Sequence, residues 1–269
     1  MQVIHSQMEK FSFERSVSNK QTSMNNLQTH GHYELYYLLS GERNYFIEDT
    51  LYHIECGSVV IIPPMVLHRT VGEKVGNIER ILLDIPKNFV GTELFGECLE
   101  NDKSFIFNVP KKRRAMFEKI LADIETEWAR NDKFSESLIR NYTEELLVML
   151  IRLKNDNIRA FDVETELVIS KAAKHIAENF DKPLGLEDVA AYVNMSKSYF
   201  CKFFRRKTGC GFADYLTGVR INEGAKLLEN TELDITEIAM RCGYNDSAYF
   251  TAVFKKIKGV TPTRYRKGK

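Results

Sequence analysis

The order of apolar and polar positions changes character once along this chain. Between residues 33 and 85, short runs rich in Ile, Val, Leu and Tyr alternate with turn residues: YELYYLL, Gly41, RNYFIE, LYHIE, Gly57, SVVIIP, the pair Pro63-Pro64, and IERILLDI. Such runs, punctuated by Gly and Pro at intervals of about 8–12 residues, predict an all-β sandwich or barrel. Beyond Pro110 the apolar positions recur every three or four residues instead. Phe117, Ile120, Leu121 and Ile124 form one helical stripe, and Leu138, Tyr142, Leu146, Met149, Leu150 and Leu153 form another. These two helices are expected to pack on the β domain, the second also pairing with its counterpart in another subunit. The polar segment 156–163 is the expected linker, dividing the chain into a domain at 1–155 and a second at 164–269.

The second domain is helical in pattern throughout and contains an internal repeat. When residues 195–216 are laid on 245–266, Tyr199-Phe200 match Tyr249-Phe250, Phe204 matches Phe254, Arg205-Arg206 match Lys255-Lys256, Gly209 matches Gly259 and Tyr215 matches Tyr265. With a one-residue gap, Val189-Ala190 also match Ile238-Ala239. Each copy reads as a short helix with a small buried residue, a tight turn, and a longer helix opened by an N-cap, Ser196 or Asp246. Gly243 suits the turn of the second copy, and Asp234 with Glu237 suits a cap on its first helix. Helix, turn, helix is the outline of a unit whose second helix enters the DNA major groove.

Periodicity sorts the side chains of those second helices. Phe200, Phe203, Phe204 and Lys207 share one stripe, and Phe250, Val253, Phe254 and Ile257 share the matching one, so the phenylalanines are expected in the core rather than stacked on bases. Lys197, Ser198, Cys201, Lys202 and Arg205 then face outward in the first copy, and Ser247, Ala248, Thr251, Ala252 and Lys255 in the second. Lys202 and Arg205 can donate to guanine or to phosphates, and Ala248 and the Thr251 methyl suit thymine methyls. Arg206, Lys207, Lys255, Lys256 and Lys258, at the far ends of the helices, suit phosphates.

Charge supports that division. The chain carries a formal net charge of only +1, yet residues 197–269 hold 15 Lys or Arg against 7 Asp or Glu, so the surplus lies at one end. A polyanion partner held there, or a solvated helical surface, would account for it. The five cysteines are scattered and never spaced as CxxC, which reads as reduced structural thiols. No run approaches the about 18 apolar residues of a membrane span, so a cytoplasmic protein without membrane contact is expected.

The segment IAMRCGYNDSAYFTAVFKKIKGVTPTRYR (238–266) resembles the C-terminal signature of AraC/XylS-type transcriptional regulators, in its IA pair, CGY, YF, FK, late Gly and TPxxYR. That resemblance implies two helix-turn-helix units joined by a long helix, here at about 212–229, which set their recognition helices into successive major-groove segments about 34 Å apart. Carried over, the base-contacting positions are Ser198, Cys201 and Lys202, then Ser247, Ala248, Thr251 and Ala252. Most are small residues, so the second helix is expected to contribute more through shape and phosphate contacts than through hydrogen-bonded readout. The resemblance also implies double-stranded DNA and RNA polymerase as partners, an activator, and a homodimer formed through the N-terminal half.

HGHYELYYLLSG and GSVVIIPPMVLH resemble the cupin-type sensor domain that many such regulators carry. The expected fold is therefore α+β in two domains, a cupin-like β-barrel with two packing helices followed by an all-α double helix-turn-helix. On an extended chain His30, His32 and Glu34 would share one face, and His68 would join them. Three readings stay open. These residues line a metal-free effector pocket, hold backbone groups at the barrel rim, or bind a metal. Tyr36, Arg43, Tyr45, Thr70 and Arg80 are the further candidates for pocket lining, with a sugar-like effector suiting aromatic walls and few polar groups. Arg80 would clamp a carboxylate or hydroxyls there, or else lie exposed on an edge strand. The spacing of Glu34 and Met65 departs from the metal-binding cupin pattern, and no cofactor is expected. Neither a nucleophile with a base partner nor a phosphate-binding loop appears, so an enzyme is not expected. The rival readings are a metal-dependent cupin isomerase or dioxygenase with secondary DNA binding, and a ligand-independent regulator whose β domain only dimerises.

Overall fold

A computed structural model describes residues 11–18, 27–48, 50–71, 77–99, 104–155 and 167–267. The β domain consists of β1 (Ser12–Ser18), β2 (Tyr33–Ser40), β3 (Glu42–Ile47), β4 (Thr50–Glu55), β5 (Ser58–Ile62), β6 (His68–Val71), β7 (Ile78–Ile85) and β8 (Phe105–Asn108). Five strands form one sheet in the order β1-β7-β2-β5-β8, and three form another in the order β4-β3-β6, antiparallel throughout. Among the described residues no ladder joins the two sheets. The expected barrel is thus an open sandwich, because β4 and β8 end their sheets without pairing across.

Three helices lie on the N-terminal half, α1 (Thr92–Cys98), α2 (Lys111–Arg130) and α3 (Ser135–Asn155). Alternation along the strands assigns their side chains to two faces. Leu35, Tyr37, Val59, Ile61, Ile81, Leu83 and Phe107 leave the five-stranded sheet on its outer face and share a core with Phe117, Leu121, Leu146 and Leu150 of α2 and α3. Tyr36, Leu38, Val60 and Ile62 point the other way and meet Tyr45, Ile47 and Ile54 of the facing sheet.

The C-terminal half comprises α4 (Leu167–Glu178), α5 (Leu186–Tyr192), α6 (Lys197–Thr208), α7 (Phe212–Asn230), α8 (Ile235–Arg241), α9 (Ser247–Lys258) and α10 (Pro262–Lys267). Its core is continuous with the outer face of the small sheet: Phe46, Leu51, Leu67 and Val71 pack with Tyr215, Leu216, Phe204 and Ile221 in one apolar cluster. Both faces of the three-stranded sheet are therefore covered, which explains why every residue of His68–Val71 is buried. The linker expected at 156–163 lies outside the described residues.

Candidate functional site

The two repeated units close in the same way. Ser196 accepts a hydrogen bond from the Tyr199 amide at 3.4 Å, Asp246 from the Ala248 amide at 2.7 Å, and Asp234 from the Glu237 amide at 2.7 Å. The Glu237 carboxylate itself turns to Arg241. The turns also correspond: Gly243 takes φ +77°, and in the first copy Asn194 takes φ +57° at the matching place. Phe200, Phe204, Phe250 and Phe254 are fully buried, while Phe203 and Val253 are only half-buried.

This packing leaves Lys197, Ser198, Cys201, Lys202, Arg205 and Arg206 exposed on α6, and Ala248, Ala252, Lys255 and Lys256 exposed on α9. Ser247 and Thr251 are half-buried, and Lys197 reaches Glu187 of α5 at 2.5 Å. Two large residues outside the expected set stand out at matching positions, Tyr199 at 56% and Tyr249 at 62% exposure. Their place in the repeat was readable from sequence, but their exposure was not, since the helical stripe that buries Phe200 leaves its neighbour free. Lys258, expected at a phosphate, is instead only 3% exposed.

The expected pocket residues gather between the two sheets. Glu34 and Tyr36 of β2, Arg43 and Tyr45 of β3, and His68 and Thr70 of β6 are all buried, with His30 beside them just before β2. Tyr36 and Tyr45 meet edge to face at 5.4 Å, and the Arg80 guanidinium carbon lies 5.9 Å from the Tyr36 ring. Arg80 belongs to an interior strand, since β7 lies between β1 and β2; its Nη2 donates to Glu14. The Thr70 hydroxyl and Arg80 Nη1 are buried without a hydrogen-bond partner among the described residues.

His30, Glu34 and His68 converge. Glu34 Oε2 lies 3.3 Å from His30 Nε2 and 3.5 Å from His68 Nε2, and Tyr45 donates its hydroxyl to Glu34 Oε1 at 2.6 Å. Burial would raise the Glu34 pKa, but His68 and His30 outweigh it and hold the carboxyl well below the usual range. Burial, and then Glu34, pushes the Tyr45 phenol well up. His32 does not join this group. The chain bends at Gly31-His32 before β2 begins, so strand alternation does not apply, and His32 stacks on His30 and reaches Asp84 at 3.2 Å.

The same segments hold the helical half. The Asn222 side chain, on α7, accepts from Thr29 Oγ1 at 3.1 Å and donates to the Met65 carbonyl at 2.6 Å. Met65 in turn donates its amide to the His30 carbonyl at 2.7 Å. The paired tyrosines of the repeat both reach the interface: Tyr215 donates to the Glu48 carbonyl at 2.5 Å, and Tyr265, whose hydroxyl donates to Glu229 at 2.7 Å, lies 3.4 Å from Met65 Sδ. Gly218 lets α7 approach closely, since a Cβ there would stand 3.2 Å from Leu27. Sequence reasoning missed Asn222, although a helix with Gly218 and Gly224 in its interior signals close approach.

Residues 13–138 match the model of an AraC-like ligand binding domain, and residues 189–268 that of a helix-turn-helix domain. The chain is 25% identical over 247 residues to the HTH-type transcriptional activator RhaR of Mannheimia succiniciproducens, covering 89% of this chain and 86% of that protein. It is 30% identical over 143 residues to the lactose operon transcription activator of Staphylococcus xylosus, covering 50% and 51%. It is 34% identical over 102 residues to the melibiose operon regulatory protein of Escherichia coli K12, covering 38% and 34%. Among the described residues no helix is long and apolar enough to cross a membrane.

Proposed function

We propose, on the premise that this chain belongs to the AraC/XylS family of transcriptional regulators, that it activates carbohydrate-utilisation genes in response to a small sugar-like effector held between its two sheets. The supporting observation is the shared backbone of sensor and helical half. The segments around Thr29-His30 and Met65-His68 carry side chains of the buried polar cluster on one side and the contacts of Asn222 on the other. Effector bound at Tyr36, Arg43, Thr70 and Arg80 acts on the placement of α7, and with it on both recognition helices. In energetic terms the effector must bind the DNA-competent arrangement more tightly than the other, or it shifts nothing.

On DNA, Ser198, Cys201 and Lys202 face base edges from α6, and Ser247, Ala248, Thr251 and Ala252 do so from α9. Arg205, Arg206, Lys255 and Lys256, with the Tyr199 and Tyr249 hydroxyls, meet phosphates. A homodimer formed through the N-terminal half, contact with RNA polymerase, a cytoplasmic location and the absence of a catalytic step complete this reading. Footprinting of the full chain on its own upstream DNA, with and without candidate sugars, tests it. One sugar should change the protected region or the affinity, and Tyr36→Phe or Arg80→Gln should abolish that change while leaving sugar-free binding intact. Protection unaffected by any sugar that the chain measurably binds would refute the effector role.

A further inference from the structure

We propose that His30, Glu34 and His68 form a binding site for a divalent transition-metal ion. Each imidazole commits its Nδ1 proton to a backbone carbonyl, His30 to that of His32 and His68 to that of Val66, both at 2.9 Å. A neutral imidazole carries one ring proton, so each Nε2 is left as a bare acceptor. Both Nε2 atoms face Glu34 Oε2, which as a carboxylate also only accepts. Three acceptors thus converge among side chains that are 5%, 2% and 0% exposed. An arrangement of this kind calls for a proton or a metal ion between the acceptors.

The distances suit the ion. Ligand atoms about 2.0–2.1 Å from a tetrahedral metal lie about 3.3 Å apart. Two of the three separations here are 3.3 and 3.5 Å, and all three ligand atoms lie within 4.8 Å of one another. The outer contacts are those that orient metal ligands: a carbonyl on each Nδ1 and the Tyr45 hydroxyl on the second carboxylate oxygen. Two imidazoles and a carboxylate suit zinc, iron, manganese, cobalt or nickel, and three protein ligands leave a position for water. His32 takes no part, being held by Asp84. The ion would tie the Thr29-His30 segment to the Met65-His68 segment, the two that hold Asn222. The site stands on side-chain geometry and is independent of which effector the sandwich accepts.

The full-length chain, stripped with a chelator and dialysed, is titrated with Zn2+ and with Co2+. Elemental analysis should find one ion per chain, and X-ray absorption of the zinc-loaded wild-type chain should find imidazole and oxygen in the shell without sulfur. Glu34→Gln and His68→Ala should weaken binding on the order of 100-fold, Tyr45→Phe roughly 10-fold, and His53→Ala, at an exposed histidine, should change nothing. DNA binding by each variant serves as the check of folding. Binding well below one ion per chain, a sulfur-containing shell, or folded Glu34 and His68 variants that bind as tightly as the wild type would each overturn the site and leave ring protons as the balancing charge.

Discussion

Asn222 and Met65, far apart in sequence, share a buried hydrogen bond of 2.6 Å that fastens the helix between the two DNA-reading units to the sensor domain. Removing the amide leaves the Met65 carbonyl without its donor, at a cost of about 1–3 kcal/mol. Asn222→Ala should therefore speed amide exchange in residues 27–30 and 65–68 while recognition-helix protection stays the same. Unchanged exchange in those segments would mean that this bond does not hold the halves together.

Lys202 and Lys256 are both exposed, and the proposed reading sets Lys202 among the base-facing residues and Lys256 among the phosphate contacts. Lys202→Ala should lose about 1–3 kcal/mol of discrimination between operator and scrambled DNA. Lys256→Ala should weaken both DNAs alike and lower the salt slope by about 1. Fluorescence-anisotropy titrations at several salt concentrations separate the two outcomes, and equal losses on both DNAs for both variants would contradict the division of roles.

Lys258 occupies the place in the second repeat that Thr208 holds in the first. Thr208 satisfies itself by donating to the Phe204 carbonyl, whereas Lys258 Nζ is buried with no hydrogen-bond partner among the described residues. Burial pushes its pKa down from 10.5 to about 7, with Glu229 opposing only partly. A lysine that holds its proton less firmly when folded opposes folding wherever the unfolded chain is protonated. Stability should thus rise as the pH is raised from about 7 toward 10.5, and below about 7 the penalty should be constant. Lys258→Met should raise Tm at pH 7 by a few degrees and remove this part of the pH dependence, measured by calorimetry at both ends of the range.

Gly224 gives α9 its seat on α7. A Cβ there would stand 2.9 Å from Phe250 Cζ and 3.4 Å from Cys242 Sγ. Alanine gains about 1 kcal/mol in helix propensity, but overpacking a full core costs about 1–3 kcal/mol. The clash should win, because Phe250 is wholly buried and has nowhere to turn. Gly224→Ala should lower Tm by several degrees and weaken DNA binding through the second unit, and a stabilised variant would show that α9 can move aside.

The outline of the doubled unit was legible in the sequence. Its caps at Ser196, Asp234 and Asp246, its buried phenylalanines and its turn at Gly243 all follow from local geometry: a 3.6-residue period, a cap one residue before a helix, a positive φ. The five strands read from 33–85 were legible for the same reason. The strand Ser12–Ser18 and the short strands His68–Val71 and Phe105–Asn108 were not, since each is defined by a partner remote in sequence. Chemistry at the site divides along the same line. The sequence by itself named the candidates, from His30 to Arg80 in the β domain and from Lys197 to Lys256 along the second helix of each repeated unit. Only the tertiary structure decided that His32 turns to Asp84 while His30 and His68 turn to Glu34, that the sandwich stays open, that Lys258 is buried, and that Asn222 closes on Met65. Periodicity is written in neighbouring residues, whereas the partner of a buried polar group is chosen by packing between segments that meet only when the chain is folded.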